Sequence, residues 1–270
     1  MTDTLTIATY NIRTDTHDDG PEGSRFRWAS RFPYIKQLID THNWDIIGIQ
    51  EARENQLEDL AALPGYQAVG QKRSSDEEAE YNPILFKTDL FELLETQTYW
   101  LSPSGEVNSQ AEEWDAAYPR IYTLARLKMK ETGQTLTVLN THFDHTSEKA
   151  RHKSSELIAE KVKALNRDEP LFLTGDFNGE RQERFYDTLS HVMRDAELES
   201  PHQIGPDVTC TLVTFDYIPK WEDMVKIDYI FINEHVEVIK TETLTDKFNG
   251  YYPSDHFPVS LSCRLKQKNR

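Results

Sequence analysis

Acidic, amide and imidazole side chains recur where apolar runs of this sequence end. The stretch Asn140-Thr-His-Phe-Asp-His145 follows the run TLTVL and places two imidazoles and a carboxylate within four residues. The other such positions are Asn11 after TLTIATY, Glu51 after DIIGIQ, Asp176 and Asn178 in LFLTGDFN, Asp228 inside KIDYIF, and Asp255 with His256 ahead of PVSL. A single acid at a strand end is usually a turn former. Because a layered sheet gathers strand ends along one edge, their recurrence predicts a shared site there.

The chemistry that suits these side chains is hydrolysis of a phosphoester with the help of a hard divalent cation. Carboxylate and amide oxygens favour Mg²⁺ or Mn²⁺, whereas a zinc site would call for thiolates or several clustered imidazoles. The cation would screen the anionic substrate and polarise its phosphoryl oxygen. Asp and His side chains can supply a base for the attacking water and donors for the developing charge.

Composition narrows the class of protein. The chain has 270 residues, 37% of them hydrophobic, and a formal net charge of -16. We expect one domain over residues 1–270, cytoplasmic, without a membrane span, since no apolar run approaches about 18 residues. The two cysteines, Cys210 and Cys263, are too few for a disulfide framework or a thiolate metal site. The acidic charge disfavours tight binding of duplex nucleic acid.

The elements that must position these residues are many short strands separated by helices. Predicted helices are 28–41, 54–62 and 147–166, the last with Ser147 as its cap. Predicted strands are 4–12, 45–51, 82–87, 122–129, 135–142, 170–177, 226–232, 235–244 and 258–265. The strands 122–129 and 135–142 are close enough for an antiparallel hairpin, so we expect a mixed α/β layered fold. The segments 72–81, 102–119 and 200–225 are predicted loops with room for substrate contacts.

Six motifs in order resemble the endonuclease/exonuclease/phosphatase superfamily, the family of DNase I. They are Thr9-Tyr-Asn11, Gln50-Glu51, Thr141-His142, Gly175-Asp-Phe-Asn178, Ile227-Asp-Tyr-Ile-Phe231 and Ser254-Asp-His256. The extended NTHFDH form is most similar to a group of bacterial members. The resemblance covers residues 5–265 and implies a four-layer α/β/β/α sandwich of two mixed sheets with one active site at the sheet edge.

The resemblance implies a role for each matching residue. It makes Glu51 the principal metal ligand, with Asn11 beside it and Asp255 as a further or water-mediated ligand. Asp176 would position or deprotonate the attacking water, and Asn178 would hold a phosphate oxygen.

The two imidazoles receive separate roles. His256 would contact the scissile phosphate while Asp228 fixes its orientation. His142 would be the second imidazole on the phosphate, as a donor or as an acid toward the leaving oxygen. Related members pair this second histidine with a glutamate ahead of an apolar run, so a hydrogen bond from His142 to Glu80 is expected. The alternative for Glu80 is a solvated charge in an acidic loop.

Four further residues are candidates for substrate binding. Asn140 would assist as an amide near the phosphate, Arg120 would act as a phosphate fork, and His145 would line the cleft. Trp221 is placed for substrate contact in the loop before Asp228. For Arg120 a surface ion pair, and for His145 a structural role, are the alternatives.

The favoured function is a Mg²⁺- or Mn²⁺-dependent phosphoester hydrolase, most simply a phosphodiesterase or exonuclease-like enzyme. Its substrate would be a compact phosphoester, including single-stranded nucleic acid or a nucleotide, and no obligate protein partner is evident. A phosphatase or phosphodiesterase on a small-molecule or lipid phosphoester is the alternative. A binding module that keeps the fold without activity is a lesser one. A nucleophilic Ser or Cys hydrolase is disfavoured because the G-x-S-x-G motif is absent.

Overall fold

Two mixed β-sheets form the centre of the molecule. The computed structural model describes residues 4–165, 168–211, 220, 222 and 224–266. Within these ranges the first sheet has the strand order Gln203–Ile204 (β10), Val236–Thr243 (β14), Val259–Leu265 (β15), Leu5–Asn11 (β1), Ile46–Gln50 (β2), Ile84–Lys87 (β4), Tyr66–Val69 (β3). The second has the order Phe91–Trp100 (β5), Ile121–Met129 (β6), Thr135–His142 (β7), Leu171–Asp176 (β8), Asp228–Ile232 (β13), Arg194–Asp195 (β9). Cys210–Thr211 (β11) pairs with Met224–Val225 (β12).

Helices cover the outer face of each sheet. They are Trp28–His42 (α1), Glu54–Ala61 (α2), Glu148–Ala164 (α3) and Arg184–Ser190 (α4). Residues of α1 and α2 pack with outward-facing residues of β1 and β2, and those of α3 and α4 pack with β7, β8 and β13. The predicted four-layer α/β/β/α sandwich is therefore confirmed. No helix in the described ranges is both long and apolar enough to traverse a bilayer.

Side-chain alternation along the strands divides the core into an inner and an outer part. Ile7 of β1 and Ile46 of β2 belong to the inner cluster between the sheets, whereas their neighbours Ala8 and Ile47 belong to the cluster under α1. The period of two in a strand explains why both faces of these buried strands are apolar.

The pairing of the strands is mixed, as predicted. β1 runs parallel to β2 and β7 parallel to β8, whereas β6 and β7 form the expected antiparallel hairpin. The sequence prediction missed β3, β5 and α4. β5 is a ten-residue strand at the edge of its sheet, and most of its residues are exposed or half-buried. Its sequence, FELLETQTYW, therefore lacks the apolar run that marked the central strands.

Asn140 joins the two sheets and does not reach the phosphate site. Its amide nitrogen donates to Ile49 O at 2.7 Å and to Pro83 O at 3.0 Å. Its amide oxygen accepts from Gln50 Nε2 at 2.6 Å and from Thr174 Oγ1 at 3.0 Å. The side chain is fully buried, so the prediction that Asn140 assists at the phosphate is wrong.

Gly48 of β2 allows this close approach. A Cβ atom at position 48 would lie 2.1 Å from Thr174 Oγ1 and 2.5 Å from Asn140 Oδ1. Since real Cβ atoms do not come this close to other heavy atoms, the contact requires glycine. The two sheets are thus tied together directly beneath the edge where the acidic side chains lie.

Candidate active site

Strand register brings the chemically capable residues to one edge of the sandwich. Asn11 lies opposite Gln50 in the parallel pair β1/β2, and His142 lies opposite Asp176 in the parallel pair β7/β8. Asp228, the first residue of antiparallel β13, also lies opposite Asp176. The ends of strands from both sheets therefore meet at one place, as the sequence predicted.

Asp176 is the centre of the cluster. One carboxylate oxygen, Oδ2, accepts from Asn11 Nδ2 at 2.9 Å and lies 3.5 Å from His142 Nε2 and 3.7 Å from His256 Nε2. The other, Oδ1, accepts from the backbone N–H of Asn178 at 2.9 Å. Burial raises the pKa of Asp176 to about 7. A carboxylate with this pKa is suited to accept a proton from water near neutral pH.

Asp228 holds His256, as expected. His256 Nδ1 lies 2.9 Å from Asp228 Oδ2, and both side chains are buried. Burial alone would lower the pKa of His256, but the neighbouring Cys210, Asp228 and Asp176 outweigh this effect and raise it well above its usual value. These neighbours therefore favour the protonated ring, whose Nε2 lies 3.7 Å from Asp176 Oδ2.

The surroundings of His142 have the reverse effect on its pKa. Burial, together with the nearby guanidinium groups of Arg120 and Arg73, holds the pKa of His142 well below its usual value. Its Nε2 lies 2.8 Å from Asn178 Nδ2, which also donates to Phe143 O at 3.0 Å. Because that amide group donates, Nε2 of the neutral ring accepts, and the proton lies on Nδ1.

The expected hydrogen bond between Glu80 and His142 is absent. Glu80 accepts instead from Arg73 Nη1 at 2.6 Å, and His142 Nδ1 has no hydrogen-bond partner. The backbone also pairs Arg73 with Glu80, through Arg73 N and Glu80 O at 2.9 Å. The hairpin of residues 73–80 thus fixes Glu80 on an arginine, and this part of the sequence prediction is wrong.

Glu51 faces the same centre from the first sheet. Its carboxylate accepts from Asn11 Nδ2 at 2.9 Å and from the backbone N–H of Thr14 at 2.8 Å. Glu51 has a φ of 65°, a left-handed conformation that is costly for a residue with a Cβ. The hydrogen bonds to Asn11 and Thr14 hold the side chain in place despite that cost.

Asn11 and Asp255, the other two predicted metal ligands, form hydrogen bonds with protein groups at this edge. Asn11 turns its amide nitrogen toward Glu51 and Asp176, while its oxygen accepts from the backbone N–H of Arg13 at 2.9 Å. Asp255 accepts from Arg13 Nη1 at 2.8 Å. In this arrangement Asn11 spaces two carboxylates and Asp255 anchors an arginine, and the ligand roles expected for these two residues stay predictions.

Arg120 lies beside His145 and is almost fully buried. Its Nη2 lies 3.0 Å from His145 Nδ1 and its Nε 3.6 Å from Asp144 Oδ2, while Nη1 has no hydrogen-bond partner. The alternative of a surface ion pair for Arg120 does not fit this burial. His145 is exposed and stacks on Tyr118, with the ring centroids 5.9 Å apart.

Asp144 has a structural role. Its Oδ1 accepts from the backbone N–H groups of Thr146 and Ser147, and its Oδ2 accepts from Ala117 N at 2.8 Å. Ser147 caps α3, as predicted. Despite burial, these hydrogen bonds and Arg120 lower the pKa of Asp144 to about 2. Of the predicted site residues, Trp221 lies outside the described part of the chain.

Comparisons with known proteins identify the family of this chain. The sequence model of the endonuclease/exonuclease/phosphatase family matches residues 8–256. The chain belongs to this family. A family protein from Bacteroides vulgatus is 36% identical, with a TM-score of 0.89 over 97% of this chain and 99% of that one. The mannosyl-6-phosphatase of Bacteroides thetaiotaomicron is 32% identical, with a TM-score of 0.88 over 97% and 100% of the two chains. Nocturnin of Drosophila melanogaster is 25% identical over 97% of this chain, which spans 46% of that protein.

Family members are metal-dependent phosphoester hydrolases, and the donor set here suits a hard cation. Ligand atoms of Glu51, His142 and Asp176 lie within 4.8 Å of one another, as do those of Asp176, Asp228 and His256. Asp228 also has a buried carboxylate oxygen, Oδ1, without a hydrogen-bond partner. Two carboxylates of this set, Glu51 and Asp176, approach from opposite sheets and supply the oxygen ligands that a hard divalent cation prefers.

Several residues of this site were not foreseen from the sequence. Thr209 accepts from the backbone N–H groups of Ile227 and Asp228 at 3.1 Å and so fixes the start of β13. Arg73 and Tyr118 were inside predicted loops. A polar loop residue gives no periodic signal, so only the motif order could have indicated where these loops fold.

Proposed function

We propose that this chain is a divalent-metal-dependent hydrolase of small phosphomonoesters. The observation that carries the proposal is the meeting of Glu51, Asp176, His142 and His256 at one sheet edge. The likeness to a mannosyl-6-phosphatase over 97% of this chain and 100% of that one supports a phosphorylated small molecule as substrate.

Each residue has a distinct part in the proposed reaction. When bound by Glu51 and Asp176, the cation would lower the charge of the substrate and polarise its phosphoryl oxygen. Asp176 orients a water molecule and takes its proton as the water oxygen bonds to phosphorus. The His256 imidazolium, held by Asp228, donates to a phosphoryl oxygen and stabilises the charge of the transition state.

The opposite side of the phosphate is met by a cationic donor. Arg120, beside His145, has an Nη1 without a hydrogen-bond partner that can donate to a remaining phosphoryl oxygen, whereas both N–H groups of Asn178 Nδ2 are taken by His142 Nε2 and Phe143 O. The bond from phosphorus to the leaving oxygen breaks, that oxygen takes a proton from a solvent water molecule, and the proton held by Asp176 returns to solvent. The protonated ring nitrogen of His142, Nδ1, is not directed at Asn178, so a donor role for Nε2 toward the leaving oxygen requires tautomer exchange.

The experiment is a substrate panel under metal control. Hexose 6-phosphates, p-nitrophenyl phosphate, bis-p-nitrophenyl phosphate, single-stranded RNA and DNA and a sphingomyelin analogue are each assayed with Mg²⁺, with Mn²⁺ and with EDTA. We expect turnover of phosphomonoesters that EDTA abolishes and that falls at least 100-fold in Glu51→Gln and in His256→Ala. Glu92→Gln, on the exposed edge strand, is the matched control and should retain full activity.

The other outcomes separate the alternatives. Highest turnover of the diester or of single-stranded nucleic acid would replace the phosphomonoesterase proposal with the phosphodiesterase or exonuclease-like function that sequence reasoning placed first. A preference for the sphingomyelin analogue would indicate a lipid phosphoester. Absence of all turnover, with no Mg²⁺ or Mn²⁺ binding by calorimetry, would favour a binding module of the same fold.

A further inference from the structure

A cavity of about 560 Å³ lies beside the proposed catalytic centre. Three loops line it, 13–16, 73–80 and 118–119, together with Arg53 at the start of α2. A volume of about 300–1000 Å³ is usual for sites that enclose a small organic ligand. The cavity is therefore large enough for a compact group attached to a phosphate.

The walls of the cavity are continuous with the phosphate site. The backbone of Thr14, one wall, donates to Glu51 at 2.8 Å. On another wall, the ring of Tyr118 stacks on His145, which contacts Arg120. A phosphate bound between Glu51 and Arg120 would thus have its ester substituent next to this opening.

The charges on the walls disfavour an anionic substituent. Arg73 is paired with Glu80 at 2.6 Å and Arg53 with Glu78 at 3.4 Å. Asp76 and Glu77 line the same cavity, so its three arginines face four carboxylates. A second phosphate or a nucleic-acid chain would need unpaired cations, because phosphate affinity comes from Lys and Arg that neutralise it.

The same walls suit a group rich in hydroxyls. A carboxylate only accepts hydrogen bonds and a guanidinium only donates them, whereas a hydroxyl does both. Adjacent Arg–Glu pairs can therefore satisfy neighbouring hydroxyls of one ligand. Two lining residues also carry buried polar atoms without a hydrogen-bond partner, Arg53 Nε and Thr14 Oγ1.

Tyr118 supplies the apolar surface. Its ring is 49% exposed and lies 4.8 Å from the guanidinium of Arg73. A half-exposed aromatic ring at the opening can pack against the C–H face of a saturated ring.

We infer that this cavity binds the leaving group of the substrate, that the group is an uncharged monosaccharide or similar polyol, and that Tyr118 is a specificity-determining residue. The inference rests on the proposed phosphomonoesterase function and adds to it the class of leaving group and the place where it binds.

The first test separates binding of the leaving group from binding of the phosphate. For Tyr118→Ala we expect the KM for a hexose 6-phosphate to rise about 10-fold with little change in kcat, because the ring contacts only the leaving group. The Ki of inorganic phosphate, which has no leaving group, should change less than about 2-fold. Tyr118→Phe retains the ring and should restore KM. Tyr251→Ala is the matched control, since that ring is also half-exposed and lies 3.9 Å from an arginine, Arg25, but is outside the cavity.

The second test reverses the charge of the wall. Glu78 is two-thirds exposed, so Glu78→Lys should fold normally. We expect wild type to prefer a hexose 6-phosphate to a hexose 1,6-bisphosphate, and Glu78→Lys to reduce that preference at least 5-fold.

The outcomes distinguish the inference from the proposed function. If wild type hydrolyses no phosphomonoester, the proposed function fails and the inference with it. If wild type hydrolyses p-nitrophenyl phosphate but prefers bisphosphates or nucleotides to hexose phosphates, only the inference is overturned. It is also overturned if Tyr118→Ala raises the Ki of inorganic phosphate as much as the KM of the sugar phosphate.

Discussion

Replacing Asn140 with alanine should destabilise the fold and leave phosphate binding unchanged. The substitution removes the donors to Ile49 O and Pro83 O from a fully buried position. An unpaired buried acceptor costs roughly 1–3 kcal/mol. Pro83 O still accepts from Ile49 N, and Thr174 Oγ1 still donates to Leu139 O. The free energy of unfolding should therefore fall by about 2–4 kcal/mol in all. For a chain of this size the melting temperature would fall by about 5–15 °C.

Thermal unfolding and phosphate inhibition, measured on the same preparation, test this reasoning. Asn55→Ala, an exposed asparagine on α2, is the matched control and should change stability by less than about 0.5 kcal/mol. At 20 °C, where most of the variant remains folded, the Ki of inorganic phosphate should match that of wild type. An unchanged melting temperature together with a Ki raised tenfold would refute the structural role and restore Asn140 to the phosphate site.

Three further substitutions probe the sheet contact and the charges of the site. Gly48→Ala places a Cβ 2.1 Å from Thr174 Oγ1 and should lower the free energy of unfolding in urea by about 1–3 kcal/mol. An unchanged midpoint of urea unfolding would contradict the close packing of the sheets. Asp228→Asn should lower kcat roughly 100-fold with little change in the melting temperature, because His256 loses the carboxylate that orients it and favours its protonated form. A 100-fold loss of kcat in a variant that no longer folds would contradict this prediction. In EDTA, the stability of Asp176→Asn relative to wild type should rise between about pH 4 and pH 7 and stay constant above pH 7. The reason is that folded Asp176 keeps its proton to about pH 7, whereas the unfolded carboxyl loses it near 3.9. A difference in melting temperature that does not vary with pH would exclude the raised pKa.

The strand pattern predicted a mixed α/β layered fold with a shared site at a sheet edge, and the family resemblance implied the four-layer sandwich. Buried strands are apolar on both faces, so β1, β2, β7 and β8 stood out as continuous runs, and the polar residues that ended them marked the sheet edge. Asp176 and His142 were foreseen at that edge for this reason. The edge strand β5 has little buried surface and gave no comparable signal.

Asn140 could have been assigned correctly from the same pattern. Leu136 and Val138 face the inner core and Leu139 faces α3. Because side chains alternate along a strand, Asn140 continues the inner face and must lie between the sheets. An amide at that position needs partners within the core, which is what the hydrogen bonds to Ile49 and Pro83 provide.

The place of Glu80 was beyond such reasoning. It lies in the loop of residues 73–80, where Asp76, Glu77 and Glu78 are equally acidic and no period selects one carboxylate. The outcome depends on Arg73, whose backbone and side chain both bond to Glu80. A contact between two residues seven apart in a loop follows from the turn that the backbone adopts, and composition does not specify that turn.

The two imidazoles of the site show how burial and neighbouring charges together set the pKa of a histidine. Both His142 and His256 are buried, so desolvation lowers the pKa of each. Both rings lie near Asp176, but Asp228 is hydrogen-bonded to His256 and helps to raise its pKa, whereas the nearby Arg120 and Arg73 further lower the pKa of His142. The difference arises because β13 brings a carboxylate to one ring while β6 begins next to an arginine that approaches the other, and a site with one imidazolium and one neutral imidazole can donate to a phosphoryl oxygen and accept a proton at the same pH.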